Sequence, residues 1–145
     1  MNTFTTVWTE GPMAYEQYVS ALVVDDQKTS IAVTSAALSA LGFKHVEGVC
    51  TSAEALKRIS EKRFDVIICD WHMAPTDGPQ LFEAVKQLAG RNLPRFYFLT
   101  GDSTWGCMAT ARQLGADGFI IKPLRPGEIV SRLSQAFRVS GRAAA

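Results

Sequence analysis

The chain has 145 residues, a formal net charge of +1 and 47% hydrophobic residues, with basic and acidic side chains scattered along its length. This length suits one domain with a substantial buried core. The near-neutral charge argues against direct nucleic-acid binding, and no apolar run approaches the roughly 20 residues of a membrane span. We therefore expect neither nucleic-acid contact nor membrane insertion.

Strand-length apolar runs alternate with segments of helical period, which predicts five βα units and a parallel sheet covered on both faces. The predicted strands, in chain order, are residues 21–24, 44–49, 66–69, 96–99 and 118–121. The predicted helices begin after Asp26, at a capping box over Thr51–Glu54, at Gly78–Pro79, near Ser103 and at Pro126. The fold class is therefore predicted to be α/β.

The chain ends and the cysteines bear on domain boundaries and compartment. Residues 1–18 mix Thr, Gly, Pro and aromatics without a period, which predicts a mostly disordered arm, with a docking role as the alternative. The folded domain is expected to span residues 19–139, followed by a tail over 140–145. The start of the chain lacks a secretory pattern, and three widely spaced cysteines in apolar surroundings indicate reduced thiols. We expect a cytoplasmic protein.

Four of the predicted strands end at polar side chains suited to phosphoryl chemistry. These are Asp25–Asp26, Asp70, Thr100 and Lys122. The carboxyl ends of parallel strands share one edge, where open α/β sheets bind ligands. Clustered carboxylates raise one another's pKa, so the site requires a compensating cation, for which Mg²⁺ and Lys122 are the candidates.

Each of these residues also has a simpler interpretation. Asp26 and Thr100 could be helix N-caps, Asp70 a turn residue, and Lys122 a solvated lysine. For the whole set of residues these simpler interpretations are disfavoured, because every position terminates a predicted buried strand and none replaces an expected core residue.

The same residues form motifs that resemble the receiver domain of two-component response regulators. The matching segments are Val23–Asp26, Cys69–Met73 with Asp77–Gly78, Leu99–Gly101 and Ile121–Pro123. The resemblance covers about Ser20 to Phe137. It implies a doubly wound five-stranded parallel sheet in the order 2-1-3-4-5, with five helices.

The resemblance implies roles for the acidic residues. Asp70 would be the phosphoacceptor that attacks a phosphohistidine. Asp26 would bind Mg²⁺ directly and Asp25 mainly through water, while Asp70 and the backbone carbonyl of His72 would complete the metal site. The His72 imidazole could also gate access to the site.

The resemblance also implies a switch and an output surface. Thr100 and Lys122 would each bind a phosphoryl oxygen, and Phe119 would reorient when Thr100 engages, although Phe119 is alternatively a core aromatic. Trp105 falls on the region used for output, where it would be either an exposed partner anchor or a buried side chain. Trp71 is expected to shield the site or cap a loop.

The resemblance implies a signalling switch and not a metabolic enzyme. The switch would catalyse its own phosphorylation and slow dephosphorylation, with Mg²⁺ as cofactor. Expected partners are a sensor histidine kinase or histidine phosphotransfer protein, within a phosphorelay or two-component system, and a downstream protein target. Phosphorylation-dependent dimerisation is compatible with this function.

Three alternatives stay open from the sequence. The chain could be the receiver piece of a larger response regulator or hybrid kinase, or a receiver-like module used only for binding. It could also be a Mg²⁺-dependent phosphatase with an aspartyl nucleophile, although such enzymes pair the nucleophile with a second Asp two residues on, where this chain has His72.

Overall fold

A computed structural model describes residues 19–101, 105–122 and 125–138, apart from the side chains of Trp105 and Pro126. The predicted arm over 1–18, the tail over 140–145 and the helix start near Ser103 lie outside these residues. The proposed exposure of the Trp105 side chain lies outside them as well.

The described residues form one parallel sheet flanked by helices. The strands are β1 (Ser20–Val24), β2 (His45–Val49), β3 (Val66–Asp70), β4 (Arg95–Thr100) and β5 (Gly118–Ile121). The α-helices are α1 (Lys28–Ala40), α2 (Ser52–Glu61), α3 (Gly78–Ala89), α4 (Trp105–Leu114) and α5 (Pro126–Arg138), with a short 3₁₀ turn over Gly90–Asn92. The strand order is β2-β1-β3-β4-β5. The α/β class and the order 2-1-3-4-5 are therefore confirmed.

The central strands are apolar on both faces because helices cover both sides of the sheet. In β3, Ile67 and Cys69 point into the cluster formed with α2, α3 and α4, whereas Val66 and Ile68 point into the cluster formed with α1 and α5. All five residues of β3 are buried. This two-sided burial places the end of β3 at the centre of the molecule.

Local signals set most helix ends. In α3, Asp77 Oδ1 accepts a hydrogen bond from Gln80 N at 2.9 Å and Gln80 Oε1 accepts one from Asp77 N at 3.0 Å. In α2, Thr51 Oγ1 accepts from Glu54 N, but the Glu54 carboxylate accepts from Cys50 N instead of Thr51 N. The predicted capping box at Thr51 is therefore formed on one side only.

The second strand begins at His45, one residue after the expected start near Lys44. Leu88 has helical spacing with the buried residues of α3, which predicts burial, but it is 51% exposed. Gly42 and Gly115, with φ of 105° and 92°, adopt the left-handed conformation that ends α1 and α4. In the described part of the chain, no helix is long and apolar enough to cross a membrane.

Candidate functional site

Two consecutive aspartates follow β1 and differ in exposure. Asp25 is fully buried, and its Oδ1 accepts a hydrogen bond from Gln27 N at 2.9 Å. Asp25 N donates to the Val49 carbonyl at 3.1 Å, which continues the pairing of β1 with β2. Asp26 is exposed and is not the N-cap of α1, since that position is Gln27. The turn therefore directs one carboxylate inward and leaves the other accessible to solvent.

Asp70 ends the central strand β3 and is 6% exposed. The chain returns over it at Gly78, whose N–H donates to the Trp71 carbonyl at 2.9 Å. A Cβ atom on Gly78 would lie 2.5 Å from the Asp70 carbonyl oxygen and 3.1 Å from Trp71 Cα. Only glycine fits this close approach, so Gly78 fixes the position of the loop after Asp70. The sequence predicted Gly78 as a helix start but did not show this contact.

The three aspartates come together at the carboxyl edge of the sheet. Asp25, Asp26 and Asp70 each offer a carboxylate oxygen within 4.8 Å of those of the other two. Burial raises the pKa of Asp70, and the charges of Asp25 and Asp26 raise it further. Lys122 and a hydrogen bond from the His72 backbone oppose this rise in the pKa.

The cation that the cluster requires is present in Lys122, which lies just after β5. Its Nζ is 3.0 Å from Asp25 Oδ2 and 3.6 Å from Asp70 Oδ1. Its side chain is 17% exposed, so the interpretation of Lys122 as a solvated lysine is wrong. One ammonium thus lies between two buried carboxylates and leaves the cluster with an excess of negative charge.

Thr100 lies at the end of β4, next to Asp70 in the strand order. Thr100 is fully buried, and its carbonyl accepts a hydrogen bond from Lys122 N at 2.8 Å. Gly101 is exposed, and a Cβ atom there would meet no atom of the described residues within 4 Å. Within these residues, the edge between β3 and β4 therefore has space beside Gly101.

The donor set fits a small divalent cation. Three carboxylates provide the hard oxygen ligands that Mg²⁺ prefers, and the exposure of Asp26 leaves room for the waters that Mg²⁺ retains. His72 follows on the exposed loop, where its backbone carbonyl was predicted as a further ligand. The imidazole is not needed for such a site.

The expectation that Trp71 caps a loop is wrong, because its side chain lies in the core. It is 8% exposed and lies in the core cluster with Cys69. Its ring makes edge-to-face contacts with Phe98 at 4.8 Å and Phe119 at 5.9 Å between centroids. The alternation Ile67, Cys69, Trp71 continues the inward face of β3 by one residue, and this pattern could have predicted the burial.

Of the two residues predicted for switching and output, the structure describes the side chain of Phe119 but not that of Trp105. Phe119 is partly buried in β5 and packs against the cluster that contains Trp71. The interpretation of Phe119 as a core-facing aromatic therefore holds for this conformation. Trp105 begins α4, but its side chain is not described.

Comparison with known proteins places this geometry in a family. The model of the response regulator receiver domain matches residues 21–134. A probable chemotaxis protein CheY of Rhizobium etli is 28% identical over 86% of this chain and 97% of its own length. The transcriptional regulatory protein YvrH of Bacillus subtilis is 27% identical over 79% of this chain, which spans only 47% of that protein.

The fold agrees with solved structures. The chemotaxis response regulator CheY4 of Vibrio cholerae superposes with a TM-score of 0.73 and is 27% identical, with 83% of this chain and 99% of that chain covered. The range matched by the family model includes the three aspartates and Lys122. The chain belongs to the response regulator receiver domain family.

Proposed function

We propose that this chain is a phosphoacceptor switch in which Asp70 takes a phosphoryl group from a phosphohistidine. The observation that carries the proposal is the shared cluster at the carboxyl edge, where Asp70 lies within 4.8 Å of two further carboxylates and 3.6 Å from Lys122 Nζ. Receiver domains act as signalling switches that interact with histidine kinases and downstream targets. The donor here would be a sensor histidine kinase or a histidine phosphotransfer protein.

The transfer step uses Asp70 as the nucleophile. One carboxylate oxygen attacks phosphorus, a P–O bond forms, and the P–N bond to the donor imidazole breaks with its electrons remaining on nitrogen. Lys122 opposes the effect of burial on the pKa of Asp70, which favours the ionised form that attacks. Its ammonium is also placed to offset charge on the transferred group.

Asp25, Asp26, Asp70 and the His72 carbonyl would hold Mg²⁺, which supplies positive charge against the phosphoryl oxygens when bound. Asp25 keeps its ion pair with Lys122 in this arrangement and orients the ammonium. Thr100 would donate its hydroxyl to a phosphoryl oxygen from the neighbouring strand end. Slow hydrolysis of the acyl phosphate returns Asp70 and inorganic phosphate.

The output would be a change in protein docking at α4, β5 and α5. A cavity of about 710 Å³ lies between these elements and is lined in part by Met108, Arg112, Phe119 and Arg132. Because Phe119 contacts Trp71, the residue after Asp70, a change at the phosphoacceptor reaches this surface through two packed rings. Trp105 stays the candidate anchor for the partner.

Phosphorylation with acetyl phosphate and Mg²⁺, followed by intact-mass measurement, tests the proposal. We expect one added phosphoryl group in the wild type and none in Asp70→Asn. Asp65→Asn is the matched control, because Asp65 accepts backbone hydrogen bonds at the opposite edge of the sheet and should leave labelling unchanged. Stoichiometric labelling of Asp70→Asn, or labelling that persists in excess chelator, would overturn the assignment.

The same samples test the phosphatase alternative. A phosphatase would turn over small phosphate esters many times per site, whereas a switch would release phosphate no faster than its acyl phosphate decays. We expect no sustained turnover of p-nitrophenyl phosphate. Repeated turnover that depends on Asp70 would instead favour the phosphatase.

A further inference from the structure

A second groove lies at the opposite edge of the sheet from the aspartate cluster. It has a volume of about 340 Å³ and is formed where α2 leads into β3 and α3 leads toward β4. Its apolar walls are Ile59, Phe64, Leu88 and Pro94, and Lys62 and Arg63 contribute basic groups. Neither the phosphoacceptor site nor the cavity at β5 shares these residues.

Exposed apolar surface is concentrated at this groove and beside it. Among the described residues, the large hydrophobic side chains that are exposed are Leu88, at 51%, and Val19, at 42%. Leu88 has the spacing of a buried residue in α3 yet faces the groove. An isolated exposed leucine is ordinary, but one that lines a groove with a basic rim indicates a surface that another segment covers.

The chain enters the fold next to this groove. Val19 N donates to Asp65 Oδ2 at 2.7 Å, and Ser20 Oγ donates to the Arg63 carbonyl at 3.2 Å. Arg63 and Phe64 line the groove. The segment 1–18 is therefore joined to the fold at a residue beside the groove. Eighteen residues span up to roughly 60 Å when extended, so the segment is long enough to cover the groove.

The composition of residues 1–18 complements the groove. The segment contains Glu10 and Glu16 but no Lys or Arg, and its aromatic residues are Phe4, Trp8, Tyr15 and Tyr18. Within the described residues the Arg63 side chain is exposed, whereas Lys62 already pairs with Glu47 at 2.9 Å. Arg63 is therefore the cation available to an acidic residue such as Glu16.

We propose that residues 1–18 of this chain bind in this groove, with aromatic side chains against the exposed Leu88 and the half-buried Ile59 and with Glu16 beside Arg63. The segment would act as an intramolecular strap on the edge of the sheet opposite Asp70. This inference is independent of the phosphoacceptor function.

Photo-cross-linking in the full chain tests the strap. The photoreactive residue p-benzoylphenylalanine replaces Leu88, which is exposed and therefore tolerant, and trypsin then releases residues 1–28 as one peptide because Lys28 is the first basic residue. Fragmentation must place the cross-link within residues 1–18. The control carries the photoreactive residue at Thr29, an exposed position at the start of α1 near the carboxyl edge.

Mixing unlabelled and ¹⁵N-labelled chains identifies the source of the segment. We expect at least tenfold more cross-linking to residues 1–18 from position 88 than from position 29, with both halves of each product carrying the same isotope. Mixed-isotope products would mean that a second copy occupies the groove, which would overturn the intramolecular proposal. Equal yields from the two positions would overturn it as well.

Charge reversal tests the Arg63 contact separately from the cross-linker. Arg63→Glu should lower the yield about two- to fivefold, as expected for an exposed ion pair, and Glu10→Lys with Glu16→Lys in the same chain should restore it. Trypsin also cleaves after positions 10 and 16 in that chain, so its yield is summed over the peptides 1–10, 11–16 and 17–28. Arg125→Glu, a charge reversal at an exposed residue next to α5, is the matched control and should not change the yield. An unchanged yield in Arg63→Glu contradicts the proposed contact.

Discussion

Aspartates lie at both edges of the sheet, and their partners differ. At the amino edge, Asp65 Oδ2 accepts backbone hydrogen bonds from Val19 and Ser20. Asp117 accepts one from Phe96 N at 2.9 Å and pairs with Arg95 at 3.0 Å. These carboxylates therefore bind the first residues of strands β1 and β4.

At the carboxyl edge, the carboxylates face one another. Asp25 and Asp70 share Lys122, and Asp26 lies beside them with its side chain exposed. The pKa of Asp70 is raised because burial and two neighbouring charges act against one ammonium.

The difference in partners distinguishes aspartates that stabilise the fold, at the amino edge, from aspartates available for chemistry, at the carboxyl edge. A carboxylate whose oxygens bind backbone N–H groups and an arginine stabilises the fold and has little capacity left for a ligand. A cluster with fewer cations than carboxylates favours binding of a metal ion, and the bound ion can then offset the negative charge of a phosphoryl group. Substitutions at the two edges should therefore separate stability from phosphorylation.

The largest effect is expected from Lys122→Ala. Loss of a charged donor aimed at the transferred group should slow phosphorylation of Asp70 by about 10²–10³-fold. The rate is measured by intact mass over time with acetyl phosphate. Arg95→Ala, which removes the cation paired with Asp117 at the amino edge, should leave that rate unchanged, and equal slowing by both variants would remove the distinction between the edges.

Asp117→Ala should lower the free energy of unfolding by about 2–3 kcal/mol, because it leaves Phe96 N without its acceptor and Arg95 without its ion pair. Urea denaturation measures this loss. Asp117→Asn keeps one acceptor oxygen and should lose less. Under conditions where the variants are folded, phosphorylation of Asp70 should match the wild type, and a large rate defect would show that this edge also serves the reaction.

Asp26→Ala should weaken Mg²⁺ binding about tenfold, because one of three carboxylate ligands is removed while the buried pair stays in place. Tryptophan fluorescence provides the titration, since Trp71 directly follows Asp70. Asp65→Ala is the control at the other edge. An identical Mg²⁺ titration in Asp26→Ala and wild type would contradict the metal assignment.

The smallest expected effect is a gain in stability for Asp70→Asn near pH 7. Because the pKa of Asp70 is raised above its ordinary value of 3.8 in the folded state, ionisation of Asp70 disfavours folding as pH rises through that range. Removing the charge should therefore raise the Tm at pH 7, and the gain should disappear below about pH 3.8, where Asp70 is protonated in both states. Thermal unfolding at several pH values measures this, and a Tm gain that is independent of pH would assign it to another cause.

Much of the fold was predictable because its signals are local. Apolar runs and helical periods located the five strands and the helices of the described residues. The solvated Lys122 and the loop cap at Trp71 were wrong because both side chains are buried. Leu88 is exposed despite its spacing, because residue spacing alone does not show whether a neighbouring element covers a position.

The sequence by itself determined the parallel sheet, the polar residues at its strand ends and the resemblance to receiver domains, because these depend on residue order and short-range period. Only the tertiary structure decided that Asp25 is buried and Asp26 exposed, and that Lys122 contacts Asp25 across 97 positions of sequence. The groove beside Val19 likewise exists only where α2, α3 and the strand entrances meet. Such contacts join residues from distant parts of the chain, so their distances and burial follow from packing and not from local pattern.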